Sequence, residues 1–273
     1  MNTAAIRQLR RNLAAGRPAF GLWITVETPA VTEIAVALGL DFVVVDAEHG
    51  HLDWKEVLEH LRAAVRSETV GLVRVAELNA GLIKRALDIG ADGVVIPFVE
   101  TAEELRQAVA FARYPPEGRR GLGADRATAW GACLAEHAAL ANEHVLVVPI
   151  IETVRAAAQV PAMAQVEGVE LFQFGPADFS ASAGFRGQWE GPGVAEEILK
   201  LKDTLSAAGK HCGVVATGPA NLTERLRQGF RLIGLGMDMG LLAGALKGML
   251  AAAGQDRAIT LSAFGGRTEG GHG

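Results

Sequence analysis

Short apolar runs rich in Val, Ile, Leu and Phe alternate along this chain with longer amphipathic stretches, and the alternation repeats eight times without an intervening linker. The runs at 20–26, 42–46, 71–75, 93–97, 145–151, 170–174, 212–216 and 231–236 are continuously apolar, not alternately apolar and polar. That pattern marks strands covered on both faces, as in a parallel sheet. Between them, 29–38, 54–65, 80–88, 102–112, 154–165, 194–208, 219–228 and 241–251 carry the helical period. Gly39, Gly90, Gly209 and Gly229 stand where left-handed residues end helices. Eight strand–helix units in roughly 250 residues predict a (β/α)₈ TIM barrel, because a doubly wound sheet of that length more often holds roughly five to seven strands. The expected barrel domain spans 1–264, and its C-terminal helix is expected to serve contacts between copies. The glycine-rich stretch 265–273 has little to bury and is expected to be disordered.

Composition narrows the class. With 273 residues, 49% of them hydrophobic, the chain can bury one large core. A formal net charge of -5 offers no basic stripe for nucleic acid, and no apolar run approaches the ~18 residues of a membrane span. The N-terminus has charges without a following apolar segment, so no secretory signal is read there. Two cysteines, Cys133 and Cys212, build no disulfide framework in a chain this long, and reduced thiols in a cytoplasmic protein are expected.

A barrel places its chemistry at the C-terminal ends of its strands. The second run ends in Asp46-Ala47-Glu48-His49-Gly50-His51, the third in Arg74, the fifth in Glu152-Thr153 and the sixth in Gly175-Pro176-Ala177-Asp178. Acids, a histidine and an arginine therefore converge on one mouth. Each has a structural alternative: Asp178 or Thr153 could cap a helix, Arg74 could sit in a rim ion pair, and His49 could be a buried hydrogen-bonded histidine. Glu152 and Asp178 are the pair assigned to a divalent ion, since two carboxylates on neighbouring strand ends supply hard oxygen ligands and leave positions open. Such a site suits Mg²⁺, Mn²⁺ or Co²⁺. Spacing and chemistry alone also leave open a general acid and base pair without metal.

At these residues the sequence resembles the HpcH/HpaI aldolases. The resemblance rests on Asp46-Ala47-Glu48-His49-Gly50, Val73-Arg74-Val75, Leu87-Asp88-Ile89-Gly90-Ala91, Tyr114-Pro115-Pro116-Glu117-Gly118-Arg119-Arg120-Gly121, Ile151-Glu152-Thr153 and Gly175-Pro176-Ala177-Asp178-Phe179-Ser180, in that order over nearly the whole chain. It implies a class II aldolase that reversibly cleaves 4-hydroxy-2-oxo acids to pyruvate, or a close analogue such as hydroxypyruvate, and an aldehyde through a metal-bound enolate. By resemblance, Glu152 and Asp178 hold the metal, Arg74 contacts the pyruvate oxygen, and the turn of Gly175, Pro176, Ala177 and Asp178 receives the pyruvate carboxylate on backbone amides. His49 is then the proton-transfer residue, supported by Asp88 with Asp46 close by. Relatives of this kind form homo-oligomers, often hexamers, in which neighbouring subunits help close the site.

The chemistry agrees with that placement. Cleavage needs a proton taken from the C4 hydroxyl and a sink for the electrons arriving at C3; a metal and a fixed arginine form such a sink, and an imidazole accepts protons near neutral pH. Glu48 has a weaker claim, as a carboxylate behind the ligands. A Schiff-base mechanism requires a desolvated lysine in the barrel. Lys55, Lys84, Lys200, Lys202 and Lys247 instead fall in helical stretches and Lys210 precedes a strand. Gly121-Leu122-Gly123 and Gly234-Leu235-Gly236 lack a phosphate-binding fingerprint, and the second reads as tight barrel closure. Arg119 and Arg120 read either as a basic turn or subunit contact, or as recognition of a distal carboxylate. Glu27 adds negative charge to the mouth and leaves a neutral aldehyde as plausible an acceptor as a charged one. A citramalyl- or malyl-coenzyme A lyase would need a basic cluster for the nucleotide phosphates, and a non-catalytic binding protein would have no use for this constellation.

Overall fold

The computed structural model describes residues 1–260; the expected glycine-rich tail lies outside the described residues. Eight parallel strands close into a barrel in sequence order: β1 (Ala19–Ile24), β2 (Phe42–Asp46), β3 (Val70–Arg74), β4 (Gly93–Ile96), β5 (Leu146–Ile151), β6 (Leu171–Phe174), β7 (His211–Val215) and β8 (Leu232–Met237). The helices are α1 (Thr3–Ala14), α2 (Ala30–Ala37), α3 (Trp54–Ala64), α4 (Ala80–Asp88), α5 (Ala102–Ala112), α6 (Leu134–His144), α7 (Val154–Met163), α8 (Pro176–Ser182), α9 (Val194–Ala207), α10 (Pro219–Arg227) and α11 (Asp238–Ala252). All eight strands expected from the sequence are present, with ends that differ by at most two residues.

Continuous apolar runs are needed because both strand faces are buried. On β5, Leu146, Val148 and Ile150 point into the barrel, whereas Val147 and Ile151 pack outward under the helices. The same alternation on β6 sends Leu171 inward and Phe172 and Phe174 outward, which leaves Gln173 on the inner face.

Three helices are absent from the periodicity reading. The first, α1, plugs the N-terminal end of the barrel: Ala5, Ile6, Leu9 and Leu13 pack against inward residues including Phe42, Val70, Leu146 and Leu171. Its remaining positions are polar and arginine-rich, so its narrow apolar stripe is easily missed. Asn2 starts it by accepting a 3.2 Å hydrogen bond from the Ala5 amide. The other two, α6 and α8, lie in the long β4–β5 connection and directly after β6. Because α1 seals the far end, the mouth at the strand C-termini is left as the accessible face.

Candidate active site

Asp46 and Arg74 are the last residues of β2 and β3 and are partners across the ladder. Register alone therefore brings a buried acid beside a buried guanidinium. Arg74 Nε donates to Asp46 Oδ1 at 2.9 Å, Nη2 donates to Asp46 Oδ2, and Nη1 pairs with Glu48 Oε2 at 2.7 Å. The guanidinium also lies 4.8 Å from the Trp23 ring centroid. A planar fork held on both edges and on one face is locked in position, which is what a pre-organised positive charge requires. Asp46 additionally accepts from the amides of Glu48 and His49 at 3.0 and 3.2 Å, so it shapes the turn that carries His49. His49 itself is exposed, with Nε2 3.9 Å from Glu48 Oε1, and is not the buried histidine that the sequence also allowed. That part belongs to His60, which bridges Thr32 Oγ1 at 2.8 Å and the Val26 carbonyl at 2.9 Å.

Glu152 follows β5 and is 2% exposed. Its Oε1 accepts from the Phe98 amide at 2.7 Å, which Phe98 presents from a left-handed backbone at φ 50°. Burial, above all, pushes its carboxyl up to about 7; the charges of Asp178 and Glu48 add to the rise, and the Phe98 hydrogen bond and Arg74 oppose it. Glu48 is raised for the same first reason, with Arg74 opposing. A Cβ at position 175 would stand 2.7 Å from Glu152 Oε2, so only glycine lets the chain pass this close to that oxygen before turning into α8. Ala177 and Asp178 lie in the first turn of α8, where backbone amides precede the helix's own hydrogen-bond ladder.

These groups share one cavity of ≈ 240 Å³, lined by Trp23, His49, Arg74, Ile150, Glu152, Gln173, the stretch 174–178, Trp189, Glu190, Val215, Thr217 and Met237. That is below the ~300–1,000 Å³ of drug-sized ligand sites and suits a small ligand. No lysine lines it. Sequence reasoning missed Trp23, Gln173, Trp189, Glu190, Thr217 and Met237. Gln173 did carry a signal, as a lone polar residue inside an apolar strand. Trp189 and Glu190 come from the loop after α8 and carried none. Asp238 was also missed: it accepts from the Thr25 amide and hydroxyl at 2.8 Å each and from the Val26 amide at 3.0 Å, fastening the loop after β1 to α11.

One expected site residue is placed elsewhere. Asp88 does not reach His49 within this chain. It is the last residue of α4, whose C-terminal end returns toward the N-terminal barrel face, and it pairs with Arg120 Nη2 at 2.7 Å. Helices run back antiparallel to their strands, so their last residues and the strand ends lie on opposite faces. Arg120 is buried and stacked on Tyr114, so it is not a solvated turn and does not line the cavity above, whereas Arg119 stacks on Phe111. Thr153 caps α7 through the Ala156 amide at 3.0 Å, as its structural reading held. Gly234 admits Trp23 and Val215 into the barrel, in keeping with closure. Glu27 sits at the rim, 3.3 Å from His51 Nε2.

The family model for HpcH/HpaI aldolase/citrate lyase matches residues 19–245, the whole barrel from β1 into α11. The chain belongs to this family. It is 35% identical over 253 residues to a 2-keto-3-deoxy-L-rhamnonate aldolase of Salmonella gallinarum, covering 92% of this chain and 94% of that one. Among solved structures it superposes with a TM-score of 0.86 on an HpcH/HpaI aldolase/citrate lyase family protein from Burkholderia cenocepacia J2315, at 30% identity over 93% of this chain and 100% of that one. It also matches the citrate synthase SbnG with a TM-score of 0.80 and 29% identity, covering 90% and 97%. Membership makes the chain an enzyme of the carbon–carbon lyase class. No described helix is long and apolar enough to cross a membrane.

Proposed function

We propose that this family member is a divalent-metal-dependent class II aldolase that reversibly cleaves 4-hydroxy-2-oxo acids to pyruvate, or a close analogue such as hydroxypyruvate, and an aldehyde. The observation that carries the reading is Glu152: a carboxylate 2% exposed and raised to about 7, beside Asp178, with glycine keeping one of its oxygens clear. A carboxylate buried there is costly in its charged form unless a cation lies against it, and the open oxygen gives a cation that place. Glu152 and Asp178 fit Mg²⁺, Mn²⁺ or Co²⁺; no group of three or more ligating side chains occurs among the described residues, so the remaining positions would fall to water and substrate oxygens. When bound, the ion supplies Lewis-acid polarisation of the 2-oxo group.

The chain's own groups divide the rest of the work. Arg74, held by Asp46, Glu48 and Trp23, presents fixed positive charge where the 2-oxo oxygen becomes an enolate. The amides of Ala177 and Asp178, at the Gly175-Pro176 turn, receive the carboxylate. His49, on the exposed side of the cavity, takes the C4 hydroxyl proton from the aldehyde half and returns it in the condensation direction. Asp46 acts by positioning both Arg74 and the turn of His49. Because Asp88 lies at the opposite barrel face, any support it gives His49 would have to come from a neighbouring copy. The exposed apolar side chains of Leu242, Leu246 and Met249 on α11 support a homo-oligomer, for which a hexamer is proposed.

A 2-keto-3-deoxy sugar acid is itself a 4-hydroxy-2-oxo acid, so the Salmonella relative's name fits a neutral hydroxyaldehyde as the second product. The test is release of 2-oxo acid from a panel of 4-hydroxy-2-oxo acids and of coenzyme A esters, with exchange of pyruvate methyl protons in heavy water run beside it. Chelator should stop both cleavage and exchange, added Mg²⁺, Mn²⁺ or Co²⁺ should restore them, and borohydride should trap nothing. Turnover confined to coenzyme A esters, or chelator-resistant exchange with a reducible adduct, would replace this reading.

A further inference from the structure

Three buried polar side chains line the cavity: Arg74, Glu152 and Gln173. The first two have partners. Gln173, 4% exposed, leaves its Nε2 buried with no hydrogen-bond partner among the described residues. It points inward from β6, pairs in register with Ile150 on β5 and Gly213 on β7, and stands one inward position below the level of Glu152. One inward step along a strand is about 6.6 Å, so the amide forms part of the cavity floor beneath the carboxylate pair. Around it are Ile150, Val215 and Trp23, among which an apolar residue of equal size would be more stable than an unpaired amide. The barrel also makes room for it: a Cβ at position 213 would lie 2.3 Å from Gln173 Oε1. A strand that gives up a side chain to admit an amide whose N–H then finds no partner among the described residues points to a ligand atom.

We propose that Gln173 sets the donor specificity of the site by donating a hydrogen bond from Nε2 to an oxygen on C3 of the bound 2-oxo acid. This rests on the aldolase reading above. In that reading the 2-oxo and carboxylate oxygens are served by Arg74, the α8 amides and the ion between Glu152 and Asp178, and the methyl of pyruvate would leave Nε2 unpaired on the floor. A hydroxyl there satisfies it. The favoured donor class is therefore a 3-hydroxy-2-oxo acid.

Hydroxypyruvate and 2-oxobutyrate make a matched pair, because they carry OH and CH₃ at the same place. Each is titrated into the Mg²⁺-loaded enzyme by calorimetry, and each is then used as donor with one aldehyde. The wild type should favour hydroxypyruvate by roughly tenfold or more in Kd and in kcat/KM, the scale of one net hydrogen bond plus the unpaired donor left by its loss. Gln173→Met and Gln173→Leu should abolish that preference while still taking 2-oxobutyrate, with a Tm at or above that of the wild type, since no bond within the fold is lost. A preference that survives both substitutions, equal use of the two acids by the wild type, or a Tm drop with selectivity intact would each overturn the assignment. If the wild type binds neither acid and cleaves no 4-hydroxy-2-oxo acid, the aldolase reading falls and takes this one with it; if it binds and turns over both without discrimination, only this one falls.

Discussion

Removing the charge from Glu152 should stabilise the metal-free protein, and the size of the effect follows from where that carboxyl sits. Its value is pushed from an ordinary 4.5 up to about 7, first by burial. The folded state therefore binds the proton more tightly than the unfolded chain does. The sign is that of a raised group: the stabilising contribution is fully present below about pH 4.5, declines as pH rises, and is gone above about pH 7. A shift from 4.5 to about 7, at about 1.4 kcal/mol per unit, makes the loss about 3 kcal/mol. The wild-type curve alone would hide it. His137 is lowered to about 4, chiefly by burial and then by Arg120, so it gains stability as pH rises toward 6.5 and runs the opposite way. Subtracting the wild-type curve from that of Glu152→Gln cancels His137 and the other groups that do not interact with Glu152. The amide keeps an oxygen for the Phe98 N–H and carries no charge. In chelator, urea melts of the two proteins should diverge from pH 5 to pH 8, with the variant about 2.5 kcal/mol more stable at pH 8 relative to pH 5, since part of the loss lies below pH 5. Added Mg²⁺ or Mn²⁺ should close the gap by stabilising only the wild type. A pH-independent difference, or a variant less stable at pH 8 than at pH 5 relative to wild type, would refute the claim that this carboxylate is held at a loss for a cation.

Two further outcomes concern the reacting groups. His49→Ala should lower the cleavage rate by roughly 10²–10⁴ while the Kd for pyruvate changes little, because the donor half is held by Arg74 and the α8 turn; steady-state kinetics beside calorimetry separate the two, and unchanged turnover removes His49 from proton transfer. Arg74→Lys keeps the charge but loses the fork on Asp46 and the stacking on Trp23, so kcat should fall by roughly 10²-fold or more in both directions. Near-wild-type rates of aldol cleavage would return Arg74 to a purely structural ion pair.

The two tests bear on groups that were legible to different degrees. Arg74, Glu152 and Asp178 could be picked out because a barrel's chemistry sits at the ends of its strands and in the loops that follow, and these charged residues fall at or just after the ends of three apolar runs. Their partnerships could not. That Asp46 clasps Arg74 follows from strand register, which depends on how neighbouring strands shear past each other around the closed sheet. Asp88 shows the limit most clearly: the family resemblance implied that it supports His49, but within this chain the direction of α4 carries it to the other face and into the pair with Arg120.

By itself, then, the sequence determined the eight strand–helix units, since a run apolar on both faces has to be covered on both and a 3.6-residue stripe has to pack on something. It also determined the carboxylates, arginine and histidine of the mouth, by placing them where those runs end. Only the tertiary structure decided which of them meet. Glu152 is raised above all by burial, which segments from different parts of the chain create together; the charges of Asp178 and Glu48 add to the rise, while the Phe98 hydrogen bond and Arg74 oppose it. Gln173 looked like one polar residue in an apolar strand until the alternation of β6 turned it inward and Gly213 made room for it. Desolvation and unpaired polar atoms are properties of enclosure, and enclosure is assembled from segments far apart in sequence.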